Sequence, residues 1–428
     1  MTVHARIEDR MLKTWYVPVL LVVAAGLWAF VARFMFGLGA TTNLSNTYPW
    51  GLWIVVDLVW IALAAGAFVT AGLAHLTDNE TYHPLARSAV LLGLLSYGFV
   101  VVTLLADLGL PWHAWQILVQ QPEHSAMFEV SWCVGLYATV LVLEFAPAVL
   151  ERCGWTRLDT FWRRVSPAYI VAALTIFNYL MSHSIAWAVA TFLLFSILAV
   201  ALRGPSSKGG VPILVVIAGI SFSTMHQSSL GSLFLLMPDK LSPLWWSPIL
   251  PIHFLVSAVV AGLAGVILME VINAKAFGRK VNMGALTGLG RIALATLILY
   301  LAMRLGDVAV RQSFGAPGRG LFFAEILLGC VLPAALLAKS RLRRQTGVLT
   351  AAAILIAGGV AFNRLNVVLL GMDLPGPMPG NQPETYFPSL IEIVLSVSLV
   401  VATFFVFSLV VRLLPILPHH QPPRSSAD

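Results

Sequence analysis

The stretch WWSPILPIHFLVSAVVAGLAGVILMEVIN (residues 245–273) decides the class of this fold. Glu270 is the only Asp, Glu, Lys or Arg in it, and most of its other residues are apolar. An α-helix rises about 1.5 Å per residue, so about 20 apolar residues cross the ~30 Å hydrocarbon layer of a membrane. The stretch therefore predicts a transmembrane helix.

The same pattern recurs along the 428-residue chain, of which 59% is hydrophobic and only 11% is charged. Soluble domains carry about 25% charged residues, which excludes a soluble protein. The apolar runs are continuous and do not alternate every second residue, which excludes a transmembrane barrel. We predict an all-α, polytopic membrane protein with ten readily placed spans, at about 15–37, 49–76, 84–110, 126–150, 211–236, 245–273, 285–313, 321–338, 348–370 and 388–414.

The stretch 165–202 is also apolar, but Asn178 and Ser182–Ser184 interrupt it. It could form one span, a tight hairpin or a re-entrant pair that does not fully cross. With a hairpin and a cytoplasmic N-terminus, cytoplasmic segments hold 19 of the 26 Lys and Arg, outer loops hold 3, and spans hold 4. Basic loops favour the cytoplasm, so we predict the hairpin, with both termini cytoplasmic. The net charge of +7 thus reflects how the chain is oriented in the membrane, and no nucleic-acid partner is expected.

Residues 1–428 form one membrane domain in this interpretation, with no separate soluble domain. Two outer loops, 107–127 and 371–387, are rich in Pro, Gly and amide residues, and they could dock a partner or be plain surface loops. The polar, Pro-rich tail 419–428 is predicted to be disordered.

Three cysteines, at positions 133, 153 and 330, lie far apart and show no paired spacing. We therefore expect neither an iron–sulfur cluster nor a structural zinc site within this chain.

Ionisable side chains inside spans are the strongest functional signal, because burying them in lipid is costly unless they face a partner or a wet cavity. Most lie in the predicted outer half: Asp57, Asp107, Glu129, His226, His253, Arg304, Asp307, Glu325, Arg364 and Glu392. Fewer lie in the inner half: His75, Glu144, Glu270 and Arg291. Tyr97 lies near the middle of the third span.

Several of these residues also have a purely structural explanation. Arg304 and Asp307 are three residues apart on one helix and could neutralise each other. Asp107, Glu325 and Glu392 lie close enough to the interface to be solvated caps. Tyrosine in a core is common, and tryptophan pairs near span ends are typical of interfacial anchors: Trp50 with Trp53, and Trp245 with Trp246.

Four motifs carry a family resemblance that extends in matching order over nearly the whole chain. FGLGATTNLSNTYPWGLWIVVD (36–57) resembles the start of helix 2 in the NrfD/PsrC superfamily of quinone-interacting membrane subunits. LEFAPAVLERCGW (143–155), STMHQSSLGSL (223–233) and RLLPILP (412–418) are most similar to the HybB-type integral membrane subunit of periplasmic nickel-iron hydrogenases and to related sulfite-reduction-complex subunits. The insertion at 165–202 departs from the ten-helix HybB pattern.

The resemblance implies a membrane subunit with no haem or iron–sulfur cluster of its own. It would pass electrons between a lipid quinone, menaquinone or ubiquinone, and a ferredoxin-like iron–sulfur subunit on the outer face. The catalytic partner would be a nickel-iron hydrogenase or a sulfur-compound or cytochrome module. The helices would form two four-helix bundles, within 49–236 and 245–370, with 388–414 among the flanking helices.

The family's polar positions correspond to Tyr97 in LLSYG, Glu129 in MFEVSWC, His226 in TMHQSS and Glu270 in VILMEV. Acidic family positions correspond to Asp57 and Asp107. The residues predicted to bind quinone are His226, Tyr97, Asp57 and Arg304. Those predicted to transfer protons are Glu129, Glu144, Glu270 and Asp107.

Two other classes of function remain open. In a b-type cytochrome, two of His183, His226 and His253 would ligate a haem, although no helix pair repeats the spacing expected for stacked haems. A secondary transporter also has intramembrane charges, but matching Gly- or Pro-broken helices in the two halves are not evident.

Overall fold

The computed structural model describes residues 3–46, 48–75, 80–119, 125–202, 212–372 and 386–414. All regular secondary structure in these residues is helical, and eleven of their helices are long and apolar enough to cross a membrane. The all-α, polytopic prediction is confirmed. The predicted tail at 419–428, most of the loop 371–387 and part of the loop 107–127 lie outside the described residues.

Twelve long helices are numbered here in chain order. They are α1 Val3–Phe36, α2 Leu52–His75, α3 His83–Asp107, α4 Ala126–Cys153, α5 Thr156–Ser182, α6 Ile185–Ala201, α7 Ile213–Leu233, α8 Leu250–Ala276, α9 Met283–Val310, α10 Arg319–Ala338, α11 Thr346–Leu370 and α12 Leu390–Leu413. The upper face is the one where α2 begins and α3 ends. The lower face is the one where α2 ends and α3 begins.

The predicted hairpin at 165–202 is present as α5 and α6, but its first helix begins earlier, at Thr156. Arg157, Arg163 and Arg164 were counted as loop residues, whereas they occupy the first turns of an amphipathic helix. His183 adopts the left-handed conformation (φ 47°) that ends α5, and the Ser184 hydroxyl accepts the Trp187 N–H at the start of α6. Helix α6 has 17 residues, none of them buried.

Helix contacts divide the molecule into two groups. Helices α2, α3, α4 and α7 pack together, and so do α8, α9, α10 and α11; these are called the first and second bundles below. Helices α1 and α12 pair with each other, and α12 packs on α2 and α3. Helix α5 lies against α4 and α7, and α6 lies against α5.

The two bundles meet where α2 and α8 cross. A Cβ atom on Gly66 would collide with the Gly262 carbonyl, and one on Gly262 would collide with the Gly66 amide. Small residues at this crossing let the two backbones approach closely, as is common between membrane helices.

Candidate functional site

Three aromatic side chains from three helices meet in the core of the first bundle. Tyr97 of α3 lies between Tyr137 of α4, with ring centroids 4.7 Å apart, and His226 of α7, with ring centroids 5.7 Å apart. All three side chains are buried. The structure therefore places Tyr97 and His226, two of the residues predicted to bind quinone, next to each other, and adds Tyr137 to them.

This group is short of hydrogen-bond partners. The Tyr97 hydroxyl and both ring nitrogens of His226 have none among the described residues, and the Tyr137 hydroxyl faces only the Ser223 hydroxyl. Buried polar groups are almost always satisfied, so unsatisfied ones indicate a bound water or ligand. Together they offer two hydroxyl donors and an imidazole that donates from one nitrogen and accepts at the other.

Glu129 lies above this group, toward the upper face. Its Oε1 accepts a hydrogen bond of 2.5 Å from the Ser229 hydroxyl of α7, and its side chain is half-buried. Ser229 is three residues from His226 and Glu129 is eight residues from Tyr137, so each pair shares a helix face. The carboxyl group of Glu129 therefore stands between the buried aromatic group and the upper face.

A second polar group lies where α1 packs near α3. Asp57 is buried on α2, within electrostatic range of Asp107 at the end of α3. Arg33 of α1, also buried, donates to the carbonyl oxygens of Ala106 and Leu108. The predicted pair Asp57 and Asp107 thus lies together at the upper end of α3, where a cation is also present.

Glu392 is a helix cap, as one of the two interpretations of its position proposed. It forms a capping box with Ser389 at the start of α12, and it accepts hydrogen bonds from the Asn43 amide (3.1 Å) and the Tyr386 hydroxyl. Burial and this hydrogen bond raise the pKa of Tyr386, which keeps the hydroxyl protonated as the donor. The cap is buried and not solvated, which corrects that part of the interpretation.

Glu325 of α10 is the centre of a polar cluster in the second bundle. Its carboxylate accepts hydrogen bonds of 2.8 Å from the side chains of Trp245, Asn363 and Asn366, and Arg304 lies 3.5 Å away. The prediction of a solvated cap at Glu325 was wrong, as was an interfacial role for Trp245, because both side chains are buried. Three hydrogen-bond donors and one ion-pair partner thus hold this carboxylate in place.

The two arginines of the second bundle differ in their partners. Arg304 pairs with Glu325, whereas Asp307 pairs with Arg311 at 2.6 Å and accepts from the Ser247 hydroxyl at 2.8 Å. Arg304 and Asp307 therefore form ion pairs with other residues and not with each other. Other donors and acceptors surround Arg364: it donates to Asn363 (2.6 Å) and Ser257 (2.8 Å), and it lies 3.7 Å above the Phe254 ring. The structure thus places Arg304 on a different bundle from Tyr97 and His226.

Two carboxylates lie in the lower half. Glu144 of α4 is half-buried and faces α7, where a Cβ atom on Gly219 would lie 3.6 Å from its Oε1. Glu270 of α8 is buried and lies 3.8 Å from Arg279, which is a closer partner than the Lys275 considered from sequence. Helix α8 packs on α2, α7, α9 and α11, whereas α4 packs on α3, α5 and α7, so Glu144 and Glu270 lie on two helices that both contact α7.

Three histidines that could have paired as haem ligands lie in different surroundings. His183 is exposed at the turn between α5 and α6 beside Tyr179, His226 contacts Tyr97, and His253 contacts Tyr300 at 6.3 Å between ring centroids.

Sequence reasoning missed Tyr137 and the role of Trp245. Tyr137 could have been found from its spacing, because it lies eight residues after Glu129 and seven before Glu144 on one helix face. Trp245 gave no such signal, since its acceptor, Glu325, is distant in sequence.

These features define a multi-pass helical membrane protein with a buried, under-satisfied polar site in one bundle. Residues 40–375 match the family described as "Polysulphide reductase, NrfD". The chain belongs to that family.

Three relatives align over most of their length. A protein of Nitratidesulfovibrio vulgaris is 32% identical over 97% of this chain and 98% of its own. The Escherichia coli "Probable Ni/Fe-hydrogenase 2 b-type cytochrome subunit" is 28% identical over 91% and 88% of the two chains. The "Menaquinone reductase, integral membrane subunit" of N. vulgaris is 27% identical over 94% and 91%.

Proposed function

We propose that this chain is the quinone-interacting membrane subunit of a respiratory oxidoreductase complex. The observation that carries the proposal is the buried group of Tyr97 and His226, whose polar atoms have no partner among the described residues. A quinone headgroup has two carbonyl oxygens that accept hydrogen bonds from such donors. The relatedness to a menaquinone reductase membrane subunit and a hydrogenase subunit supports the same class of function.

Reduction of one quinone takes up two electrons and two protons and gives one quinol. The electrons would come from a ferredoxin-like iron–sulfur subunit docked on the upper face, and the reverse reaction would return them to it. His226 and Tyr97 would hold the carbonyl oxygens, and Glu129, which reaches toward the upper face, would exchange a proton. The quinone is menaquinone or ubiquinone in this proposal.

The other predicted residues have unequal support. Asp57 and Asp107 lie together near Arg33, in the upper half, so a role beside the headgroup or its protons remains a proposal for both. Glu144 and Glu270 remain candidates for proton transfer in the lower half. Arg304 also remains a prediction, but its observed partner is Glu325 in the second bundle.

The orientation and partners complete the proposal. The upper face would be the outer side of a bacterial inner membrane, because the segments that hold most Lys and Arg are predicted to lie on the lower face. The catalytic partner would be a nickel-iron hydrogenase or a sulfur-compound or cytochrome module. Mass spectrometry of the subunits that co-purify with this chain identifies it.

Replacing His226 with Ala tests the proposal in that purified complex. We expect quinone-linked electron transfer to fall at least tenfold, because a headgroup hydrogen bond is lost. Activity of the catalytic partner with a soluble dye should stay unchanged. His253→Ala is the matched control, since His253 is an equally buried histidine of the second bundle. Unchanged quinone turnover in His226→Ala would contradict the assignment.

A b-type cytochrome is the second candidate, favoured by the name of the E. coli relative. An absorption spectrum of the reduced, purified subunit decides between the two. The bands of a b-type haem in it would show that His226 is a ligand candidate and would replace the proposal above.

A further inference from the structure

Helix α4 carries a polar stripe that runs from the upper half into the lower half. Glu129, Tyr137 and Glu144 are eight and seven residues apart, which places them on one face of the helix. Each step descends about 10–12 Å along the helix axis. Between the two carboxylates, this stripe carries Tyr137 and the Cys133 thiol, and no other hydroxyl-bearing or ionisable residue.

Helix α7 faces that stripe and follows it downward. Ser229 donates to Glu129, His226 lies beside Tyr97, and Gly219 lies against Glu144. Ser223, three residues from His226, lies beside Tyr137 at the level between these contacts. The two helices therefore form a seam, the α4–α7 seam, with polar groups at each level.

The middle of this seam is unsatisfied. The buried Tyr137 and Ser223 hydroxyls face each other and have no other hydrogen-bond partner among the described residues, and Tyr97 and His226 above them have none. Adjacent unsatisfied hydroxyls are the setting in which ordered water joins polar groups into a chain.

Helix α5 closes the seam from outside. Trp162 of α5 donates to the Leu143 carbonyl at 3.3 Å, and Phe177 contacts Trp132, with ring centroids 6.2 Å apart. Between these two contacts, α5 buries Ser166 and Ile170. Helix α5 thus packs against α4 and α7 at the level of Tyr137.

We infer that Tyr137, with Ser223, is a proton relay that connects the Tyr97–His226 pair with Glu144. This inference rests on the proposed function. A proton from Glu144 adds to the Tyr137 oxygen while the Tyr137 proton leaves toward His226 and Tyr97, directly or through water. Tyr137 is left unchanged after each transfer, and the proton ends on a quinone oxygen that the iron–sulfur subunit has supplied with electrons.

The relay gives the quinone protons from the lower side. Glu144 lies about 10 Å, two helical turns, above Glu151. Glu151 pairs with Arg87 at 3.0 Å on the exposed lower face. Glu129 connects the buried aromatic group with the upper face, whereas Tyr137 and Glu144 connect it with the lower face. The α4–α7 seam therefore contains two proton paths that start at the aromatic group.

Tyr137→Phe is the test, because it removes the hydroxyl and keeps the ring that packs on Tyr97. Tyr300→Phe is the matched control, a buried tyrosine of the second bundle. The intact complex is placed in proteoliposomes with a pH-sensitive dye inside and assayed with a short-chain naphthoquinone. The readouts are quinone turnover, its solvent deuterium isotope effect, and the side from which protons are taken up.

We expect Tyr137→Phe to slow turnover at least fivefold, change the isotope effect and abolish proton uptake from the side of the lower face. Ser223→Ala should give a smaller effect of the same kind, and Tyr300→Phe should leave all three readouts unchanged. If Tyr137→Phe keeps both proton uptake from the lower side and the wild-type solvent isotope effect, the relay is overturned. If that result accompanies loss of turnover in His226→Ala, the quinone site stands and only the relay fails. If wild-type complex does not turn over quinone, both fail.

Discussion

At the scale of single residues, the number of donors around a buried carboxylate separates structural from functional groups. Glu325 accepts from three side chains and pairs with Arg304, so its charge is fully compensated. Glu129 accepts from Ser229 and is half-buried, which leaves its other oxygen available. The sequence does not show this difference in hydrogen bonding, because the donors come from other helices and loops.

The buried aromatic group shows the same limit of sequence reasoning. The family resemblance implies the quinone-binding role of Tyr97 and His226, whereas it does not point to Tyr137. Helix periodicity places Tyr137 on the face of Glu129 and Glu144, but only the packing of α3 against α4 shows that it contacts Tyr97.

The lower end of the proton path can be tested with two substitutions of equal chemistry. Glu144→Gln and Glu270→Gln each remove a titratable proton and keep the side-chain size. Because Glu144 lies on the α4–α7 seam and Glu270 lies on α8 beside Arg279, we expect Glu144→Gln to slow quinone turnover at least tenfold. Turnover and membrane-potential dependence in proteoliposomes are the measurements. An effect of Glu270→Gln alone would place the path at α8 and leave Glu144 structural.

At the scale of helices, the sequence predicts where spans lie far better than what they contact. The ten predicted spans correspond to long helices, because about 20 apolar residues specify a crossing by themselves. The start of α5 at Thr156 was missed, since basic residues in its first turns resembled a loop.

Two helices also contain wider turns that no periodicity argument predicts. Residues Leu327–Val331 of α10 and Asn366–Leu370 of α11 are π-helical. They lie next to the cluster around Glu325, whose donors Asn363 and Asn366 come from α11. Such bulges depend on tertiary packing and often occur near polar sites.

The α2–α8 crossing gives a prediction about packing. Gly262→Ala places a methyl group where the Gly66 backbone lies, so the helices must move apart. We expect a loss of about 1–3 kcal/mol of stability, typical of overpacking a tight contact, seen as a lower thermal unfolding midpoint in detergent. Gly135→Ala is the control, because its added Cβ has no neighbour within 4 Å. An unchanged midpoint for Gly262→Ala would show that the crossing is looser than described.

At the scale of the whole molecule, loop charge and structure agree on which segments share a face. Arg152 at the end of α4 donates to the Leu413 carbonyl at the end of α12 at 3.0 Å, so the end of the last helix lies on the lower face. The Arg87–Glu151 pair lies on the same face. Because most loop Lys and Arg belong to this face, it is the expected cytoplasmic side.

The two faces can be distinguished with a thiol of the chain itself. Cys153 is exposed at the lower end of α4, whereas Cys133 and Cys330 are buried. A membrane-impermeant maleimide should leave Cys153 unlabelled in intact spheroplasts and label it in inverted vesicles. Asp239→Cys, at an exposed position between α7 and α8 on the upper face, should give the opposite pattern in a Cys153→Ser background. An alkaline-phosphatase fusion after Leu414 should be inactive, because the end of α12 is expected in the cytoplasm. Labelling of Cys153 from outside, or an active fusion, would invert the molecule and move the quinone site to the cytoplasmic side.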